Sequence, residues 1–392
     1  MKSGDMKSKV FAALDIGTTK VVCLIVKTNG SKKVVGVGYN AAEGINGGVI
    51  TNIKHASRSI LSAITMAKQA SKIEMVDQAY VNISGCNISS FELTNEIISD
   101  RHKISDADVA NVISQTYEKY DEDDVVIHNI PIRYSLDDMY NINELYGLYG
   151  GKLRADMHVV TASRPALLNI ENCLVNCGVK IAGYTASSYM SGLSCLSTEE
   201  KELGAAIIDI GGGYTSIGFF EKGKFIHADF IPIGGIHITR DIAYGLCVSI
   251  NEAERIKLLS GKAISSNDID LSDDGSSSTQ IAESEIIIKP RLEEILEILD
   301  DKLGKKNNLI RKVVITGGSS QLSNIAETAN YILNRPIRIA MPFSIDGVSD
   351  NPEFSAAIGM IPLISENQKD DYGIEDSGIN KLFDWIKEKV KI

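Results

Sequence analysis

Two short stretches, FAALDIGTTKVVCLIV at 11–26 and AAIIDIGGGYTSIGFF at 205–220, repeat one pattern about 195 residues apart. Each is an apolar run, then Asp-Ile-Gly, then a turn of small or hydroxyl-bearing residues, then more apolar residues. Continuous apolar runs of this length read as buried strands. Two of them joined by a short Gly/Thr turn read as a hairpin. A chain that carries the same hairpin twice is expected to fold as two related α/β halves, each offering one turn to a shared cleft.

A third glycine turn lies in RKVVITGGSSQLSNIAETANYIL, where 313–316 is a buried strand, Gly317 and Gly318 are the turn, and a helix is expected to begin near Gln321. Around these motifs the chain reads as further α/β structure. KVVGVGYN is a third strand, a helical pattern runs from about Ile53 to Ala70, and AYVNIS is another buried strand. Residues 84–163 have their own helix, opened by Ser105 as N-cap, a strand DVVIHNIPIRYSL and a glycine-rich loop YGLYGGKL. This is long enough for an inserted α+β unit. Region 234–303 holds NEAERIKLLSG, an acidic Ser-rich loop SSNDIDLSDDGSSSTQIAES, and a helix PRLEEILEILDDKL.

At 392 residues the chain exceeds what one core usually organises. Its 44% hydrophobic and 23% charged residues are ordinary for a globular protein. The net charge of −11 argues against nucleic-acid binding, which depends on Lys and Arg neutralising phosphates. Six cysteines are scattered without a CxxC pair and read as small buried residues in a reducing compartment. No apolar run reaches the roughly 20 residues of a membrane span, and no signal peptide precedes the first strand, so a cytoplasmic protein is expected.

Polyphosphate needs several backbone N–H donors close by, and glycines give it room. The hydroxyls of Thr18, Thr19 and Thr215 can add donors. A nucleoside triphosphate also needs a hard divalent cation, usually Mg²⁺, held through carboxylates and waters. Asp15 and Asp209 each end a strand at the mouth of a turn, where such carboxylates belong. Lys20 can reach a phosphate as a point charge. A capped hairpin explains one Asp-Ile-Gly; two copies and the Gly317-Gly318 turn point to a nucleotide.

DIGTTK, IIDIGGGYTSIGFF and VVITGGSSQL resemble the phosphate 1, phosphate 2 and adenosine motifs of the actin, sugar kinase and DnaK-type chaperone superfamily. Within it the chain is most similar to the FtsA family of bacterial cell-division proteins. ASSYMSGLSCLSTEEKELGAAIIDIGGG, IPIGGIHITRDIAYGLCVSINEAERIK, VVITGGSSQLSNIAETANYILNRPIRIAMP and NPEFSAAIGM carry that resemblance. HNIPIRY and RADMHVVTAS resemble the family's inserted 1C subdomain. The resemblance implies an actin-like ATPase fold: subdomain 1A at 8–83 and 164–195, 1C at 84–163, 2A at 196–233 and 304–365, and 2B at 234–303. A linker at 366–378 and a membrane-targeting amphipathic helix at 379–392 would follow.

The resemblance also implies roles. Asp15, Gly17, Thr18, Thr19 and Lys20 would contact phosphate and Mg²⁺. Asp209, Gly211, Gly212 and Gly213 would form the second clamp, with Asp15 and Asp209 toward the metal and Asp209 the candidate catalytic residue. Gly317 and Gly318 would lie against adenosine, and Glu254 and Lys257 near the ribose or adenine. Tyr214 and Ser216 stand where the family often has Thr and Asp. Hydrolysis needs a group that orients water. The segment before phosphate 2, IAGYTASSYMSGLSCL, has neither the Gln nor the Glu that active members place there. Firm ATP binding with weak or no turnover is therefore expected. The implied partners are the C-terminal tail of FtsZ, received by 234–303 with Arg291 as a candidate cation, further copies of the chain in a filament, anionic inner-membrane lipids and other divisome proteins. A PilM-like pilus assembly adaptor and a metabolite kinase are the alternatives.

The tail INKLFDWIKEKVKI places Ile379, Leu382, Phe383, Ile386 and Val390 in one helical stripe. Trp385 lies at its edge, and Lys387 and Lys389 flank it and can snorkel. Leu382, Phe383, Trp385, Ile386, Lys387, Lys389 and Val390 are thus expected to bind a membrane surface, which the resemblance implies is the cytoplasmic face of the cell membrane at the division site. The charged, glycine-containing linker before them suits a tethered helix.

Overall fold

The computed structural model describes residues 9–28, 32–119, 123–260, 276–304, 306 and 309–364. Strands β1 (Lys9–Ile16) and β2 (Lys20–Thr28) form the first antiparallel hairpin, and β3 (Lys32–Ala41) extends it. Ala12, Ala13, Leu14, Val22 and Leu24 are fully buried, so both faces of the hairpin are covered and the strands read as unbroken apolar runs. A two-residue ladder, β4 (Ile45–Asn46) against β5 (Val49–Ile50), turns at Gly47-Gly48. Helix α1 (Ile53–Ser71) is capped by the Asn52 side chain, which accepts from the His55 N–H, and it returns the chain so that β6 (Gln78–Ile83) pairs in parallel with β1.

The chain then leaves for the insertion: β7 (Ser89–Lys103), α2 (Asp106–Glu118), β8 (Asp124–Leu136), β9 (Met139–Ile142) and β10 (Tyr149–Ser163). These strands make their own antiparallel sheet, β7-β10-β8-β9, over a separate core that includes Val112, Leu136, Leu153 and Met157. Ser105 caps α2 as expected, in a capping box with Asp108. The glycine-rich stretch expected as a loop is partly strand. Gly150 and Gly151 begin β10, and the register against β7 shifts between Gly150 and Lys152, a bulge that glycine accommodates.

Helix α3 (Arg164–Asn176) and β11 (Lys180–Ala186) complete the first sheet, β11-β6-β1-β2-β3. Helix α4 (Ser187–Cys195) and the short α5 (Thr198–Leu203) lead into the second half. There follow β12 (Ala205–Ile210), β13 (Thr215–Glu221), β14 (Lys224–Ile231), α6 (Gly235–Gly245), α7 (Ile250–Ser260), α8 (Ser276–Gly304), β15 (Lys312–Thr316), α9 (Ile325–Leu333), β16 (Ile337–Ile339) and α10 (Ser355–Gly359). The second sheet runs β14-β13-β12-β15-β16. Its order and strand senses repeat those of the first: two antiparallel pairs, then two parallel ones. This is the expected actin-like α/β architecture with an inserted subdomain.

Three local expectations change. The Ser-rich stretch is helical from Ser276, so α8 runs through Pro290 instead of starting there, and Pro290 costs it one backbone bond. Helix α9 starts at Ile325, not near Gln321. Gly318–Gln321 is a 3₁₀ turn and Asn324, left-handed at φ 61°, separates it from the helix. The part of 304–365 after β16 does not all pack on the second half. Phe354, Ala356, Ala357, Ile358 and Ile361 cover the face of the first sheet formed by Phe11, Ala13, Val22 and Leu24.

The insertion is docked on both halves. His158, fully buried on β10, presents Nδ1 to the Phe225 carbonyl at 2.8 Å, so that nitrogen carries the proton. Its Nε2 then accepts from Ser90 Oγ at 2.8 Å. Ser90 Oγ in turn accepts from the Ala228 N–H at 2.9 Å and from His227 Nδ1 at 3.1 Å, both on β14. On the first-half side His128 Nε2 accepts from the Ala186 N–H at 3.0 Å. Burial pushes the imidazolium forms of His128 and His158 down to a pKa of about 3, so this network is neutral.

No helix among the described residues is long and apolar enough to cross a membrane. The expected linker 366–378 and helix 379–392, with Leu382, Phe383, Trp385, Ile386, Lys387, Lys389 and Val390, lie outside the described residues, as do 261–275 of the acidic loop.

Candidate functional site

The two copied hairpins match residue for residue. Asp15 pairs across its ladder with Val22, and Asp209 with Ser216, the same offset. Each turn is closed two residues past the Asp: Gly17 N–H donates to the Lys20 carbonyl at 3.0 Å, and Gly211 N–H to the Tyr214 carbonyl at 2.9 Å. Lys20 and Tyr214 are therefore structural equivalents. So are Thr18 with Gly212, and Thr19 with Gly213.

The turns meet. A β-carbon on Gly213 would lie 2.4 Å from Thr18 Oγ1, and one on Gly212 would lie 2.5 Å from Thr19 Cγ2. The first turn can carry threonines because the second carries only glycines. Thr18 Oγ1 also accepts from the Gly48 N–H at 3.0 Å, which ties the β4–β5 turn to the same place. Thr215 is placed differently from its expected role. It is fully buried and donates its hydroxyl to the Ile233 carbonyl at 2.9 Å, away from the turn.

Gly317 closes the third side. It lies at φ 91°, and a β-carbon there would sit 2.3 Å from Asp209 Oδ1, so only glycine fits. Gly318 begins the 3₁₀ turn, and Ser319 Oγ lies 3.4 Å from the Gly211 carbonyl. The N-terminus of α6 packs against the second turn, with Gly235 N–H donating to the Gly211 carbonyl at 2.9 Å. Glu254 and Lys257 stand one layer out. Lys257 Nζ donates to Glu254 Oε2 at 2.8 Å, to Thr239 Oγ1 at 2.9 Å and to the Gly235 carbonyl at 3.3 Å. The pair ties α7 to the start of α6 beside the Gly317–Ser319 turn.

Asp15 accepts from Asn82 Nδ2 at 2.8 Å, and the same amide donates to Ser187 Oγ at 2.8 Å. Asp209 accepts from Ser191 Oγ at 2.5 Å. Burial raises the Asp15 carboxyl above the ordinary carboxylate range, against the lowering effect of the Asn82 bond and the Lys20 charge. Asp209 is pushed up to about 6, first by burial and then by the Asp15 charge, with the Ser191 bond and Lys20 opposing. Lys20 is the nearby cation, but it is shared. Its Nζ pairs with Glu353 Oε2 at 2.7 Å and lies 5.0 Å from the centre of the Phe354 ring. Two buried carboxylates, both raised above their usual range, fit a divalent cation, which would favour their charged forms. Among the described residues no group of three or more His, Cys, Asp or Glu is gathered.

Sequence reasoning missed Asn82, Ser187, Ser191 and Glu353. Asn82 had a signal, a polar residue inside the apolar strand AYVNIS. Arg291 does not offer the free charge expected of it. It grips Asp241 with two bonds, at 2.6 and 3.1 Å, and also pairs with Glu294.

Residues 206–359 match the family described as Cell division protein FtsA, and 85–161 match the SHS2 domain inserted in FTSA. The chain is 33% identical over 385 residues to the cell division protein FtsA of Rhizobium meliloti, covering 91% of this chain and 87% of the relative. It is 31% identical over 402 residues to the FtsA of Pseudomonas aeruginosa, covering 97% and 95%. With the FtsA of Escherichia coli K12 the identity is 26% over 404 residues, covering 97% and 96%. Among solved structures, a chain of the PilM-PilN type IV pilus biogenesis complex superposes with a TM-score of 0.67 at 16% identity, covering 91% and 98%. The ethanolamine utilization protein EutJ of Carboxydothermus hydrogenoformans gives 0.53 at 14%, covering 91% of each chain. At these identities the two structures share the fold alone.

Proposed function

The chain belongs to the FtsA family of cell division proteins, and from that premise we propose that it is an ATP-binding, actin-like protein that polymerises on the inner face of the cell membrane and anchors FtsZ filaments there. The observation that supports the nucleotide half best is the meeting of two copied hairpins, turn to turn, with a carboxylate at each mouth and Gly317 against one of them. Gly17, Thr18, Thr19, Lys20, Gly211, Gly212 and Gly213 line the phosphates in this reading. Asp15 and Asp209 would hold Mg²⁺. Gly317 and Gly318 face adenosine, with Glu254 and Lys257 at its rim. Bound Mg²⁺ supplies positive charge to the phosphates; the chain's own groups orient them and hold the two halves around them.

Turnover is slow in this reading. The α4 segment brings the Ser191 hydroxyl to Asp209 and the Ser187 hydroxyl to Asn82, the partner of Asp15, and brings no Gln or Glu that would orient water. The product is then an assembly rather than a reaction. The insertion contacts the next subunit, 234–303 receives the FtsZ tail, and 379–392 lies in the headgroup plane. Many weak anchors along a filament add by avidity. The pilus-adaptor alternative shares the fold at 16% identity, whereas the cell division proteins share 33% and 26% of aligned residues with this chain.

The test is cosedimentation with vesicles containing anionic lipid, with and without ATP. Full-length protein should sediment, and more of it with ATP. A chain ending at Gly378, and the Trp385→Glu variant, should stay in solution. Equal sedimentation of all three would remove the tail as anchor.

A further inference from the structure

A cavity of about 80 Å³ adjoins the second turn. Asn46 and Gly47 line it from the first half; Gly213, Tyr214, His237 and Arg240, with the apolar Pro232 and Ile236, line it from the second. It is several times the ~10–15 Å³ that one water needs. Its polar side chains are those of Asn46, Tyr214, His237 and Arg240, and no carboxylate is among them. Each can donate. His237 Nδ1 lies 3.1 Å from the Gly234 N–H and 3.3 Å from the Gly234 carbonyl, so this nitrogen is engaged with the backbone and Nε2 is the ring's other polar atom. The Arg240 charge is not cancelled by its neighbour Asp241, which is committed to Arg291 at 2.6 Å.

We infer that this cavity is a second anion site, taking a free tetrahedral oxyanion, inorganic phosphate, between the two halves. Four donor side chains, one of them a guanidinium, around a small space without an acid match an oxyanion and repel no part of it. Neither Asp15 nor Asp209 lines the cavity, but it shares Gly213 with the turn at their mouth, and Gly47 precedes the Gly48 that bonds Thr18. An occupant would therefore bridge Asn46 of one half to Arg240 of the other and hold the halves in this relation. That the phosphate is the one cleaved from a nucleotide at the turns rests on the nucleotide reading; the anion site itself does not.

The experiment is calorimetric titration of inorganic phosphate into the full chain, alone and with saturating ADP and Mg²⁺, for wild type, Arg240→Gln and Arg240→Lys. Melting curves check that each variant is folded. Wild type should bind one phosphate, Arg240→Gln should lose at least tenfold in phosphate affinity, and Arg240→Lys should recover part of it. ADP affinity should be the same in all three. If wild type takes no phosphate, or Arg240→Gln takes it equally well, the site is wrong. If ADP fails to bind while phosphate still depends on Arg240, the nucleotide reading falls and the anion site stands.

Discussion

Gly213 and Thr18 touch: a β-carbon in place of one glycine hydrogen would lie 2.4 Å from the threonine hydroxyl oxygen. The two halves are therefore registered against each other by backbone, with no side chain on the second turn to take up slack. Gly213→Ala should force the turns apart. It should lower ATP affinity at least tenfold and cost about 1–3 kcal/mol of stability, the usual range for overpacking. Titration calorimetry and denaturant unfolding measure the two effects. An alanine variant with wild-type affinity would mean that the turns need not meet to hold nucleotide.

The raised Asp209 carboxyl gives the site a pH signature. Its folded pKa of about 6 lies above the ordinary 3.8, so the folded chain binds this proton more tightly than the unfolded chain does. That contribution to stability is fully present below pH ~4 and is lost as pH rises through about 6. Mg²⁺ and nucleotide need the ionised form, so their affinity should move the other way and weaken as pH falls below 6. Asp209→Asn should stabilise the nucleotide-free protein at pH 8 by about 1–3 kcal/mol, the scale of a two-unit shift after discounting for coupling to Asp15. Thermal melts at pH 5 and pH 8, with and without Mg²⁺ and ATP, read both trends. A stability that rises through pH 6 in step with the Asp209 carboxyl would contradict the assignment.

Lys20 is held between two claimants in the proposed reading, since Glu353 pairs with its Nζ at 2.7 Å and its carbonyl closes the turn proposed to hold phosphate. Lys20→Ala should weaken ATP by about tenfold, one charge-assisted contact. Glu353→Gln should strengthen ATP several-fold, because it frees the ammonium for phosphate. Opposite signs in a nucleotide competition assay are the expected result. The same sign in both would show that Glu353 serves the fold and does not compete.

Three polar groups at the contact of the insertion with the second half share one hydroxyl. Ser90→Ala would leave His158 Nε2, the Ala228 N–H and His227 Nδ1 without their shared partner. Burying unpaired polar groups costs about 1–3 kcal/mol each, so the variant should lose at least that much and the insertion should become accessible to protease before the halves do. Unchanged proteolysis and melting would mean that packing alone fixes the insertion.

Much of this was legible because it is local. Each Asp-Ile-Gly turn is spelled out within six residues, and the capping box at Ser105 and Asp108 within four. The insertion stood out as a stretch with its own helix and strands. What stayed hidden depends on distance along the chain. Asn82, Ser191 and Glu353 reach the aspartates and Lys20 from separate elements, and no spacing rule links them to residues 15–20 or 209. Thr215 read as a ligand because it follows the glycines, but strand alternation turns it into the core. The start of α9 was misplaced because Asn324 adopts a left-handed conformation that composition does not announce. Arg291 read as a free charge because Asp241 lies fifty positions earlier.

The most direct measurement is calorimetric titration of ATP with Mg²⁺ into the full chain and into Asp15→Ala and Asp209→Ala. Wild type should bind one nucleotide per chain, each variant should lose most of that affinity, and omission of Mg²⁺ should weaken the wild type toward the variants. Binding of equal strength in all three proteins, or in wild type regardless of Mg²⁺, would contradict a site in which the two copied hairpins share one metal-bound nucleotide.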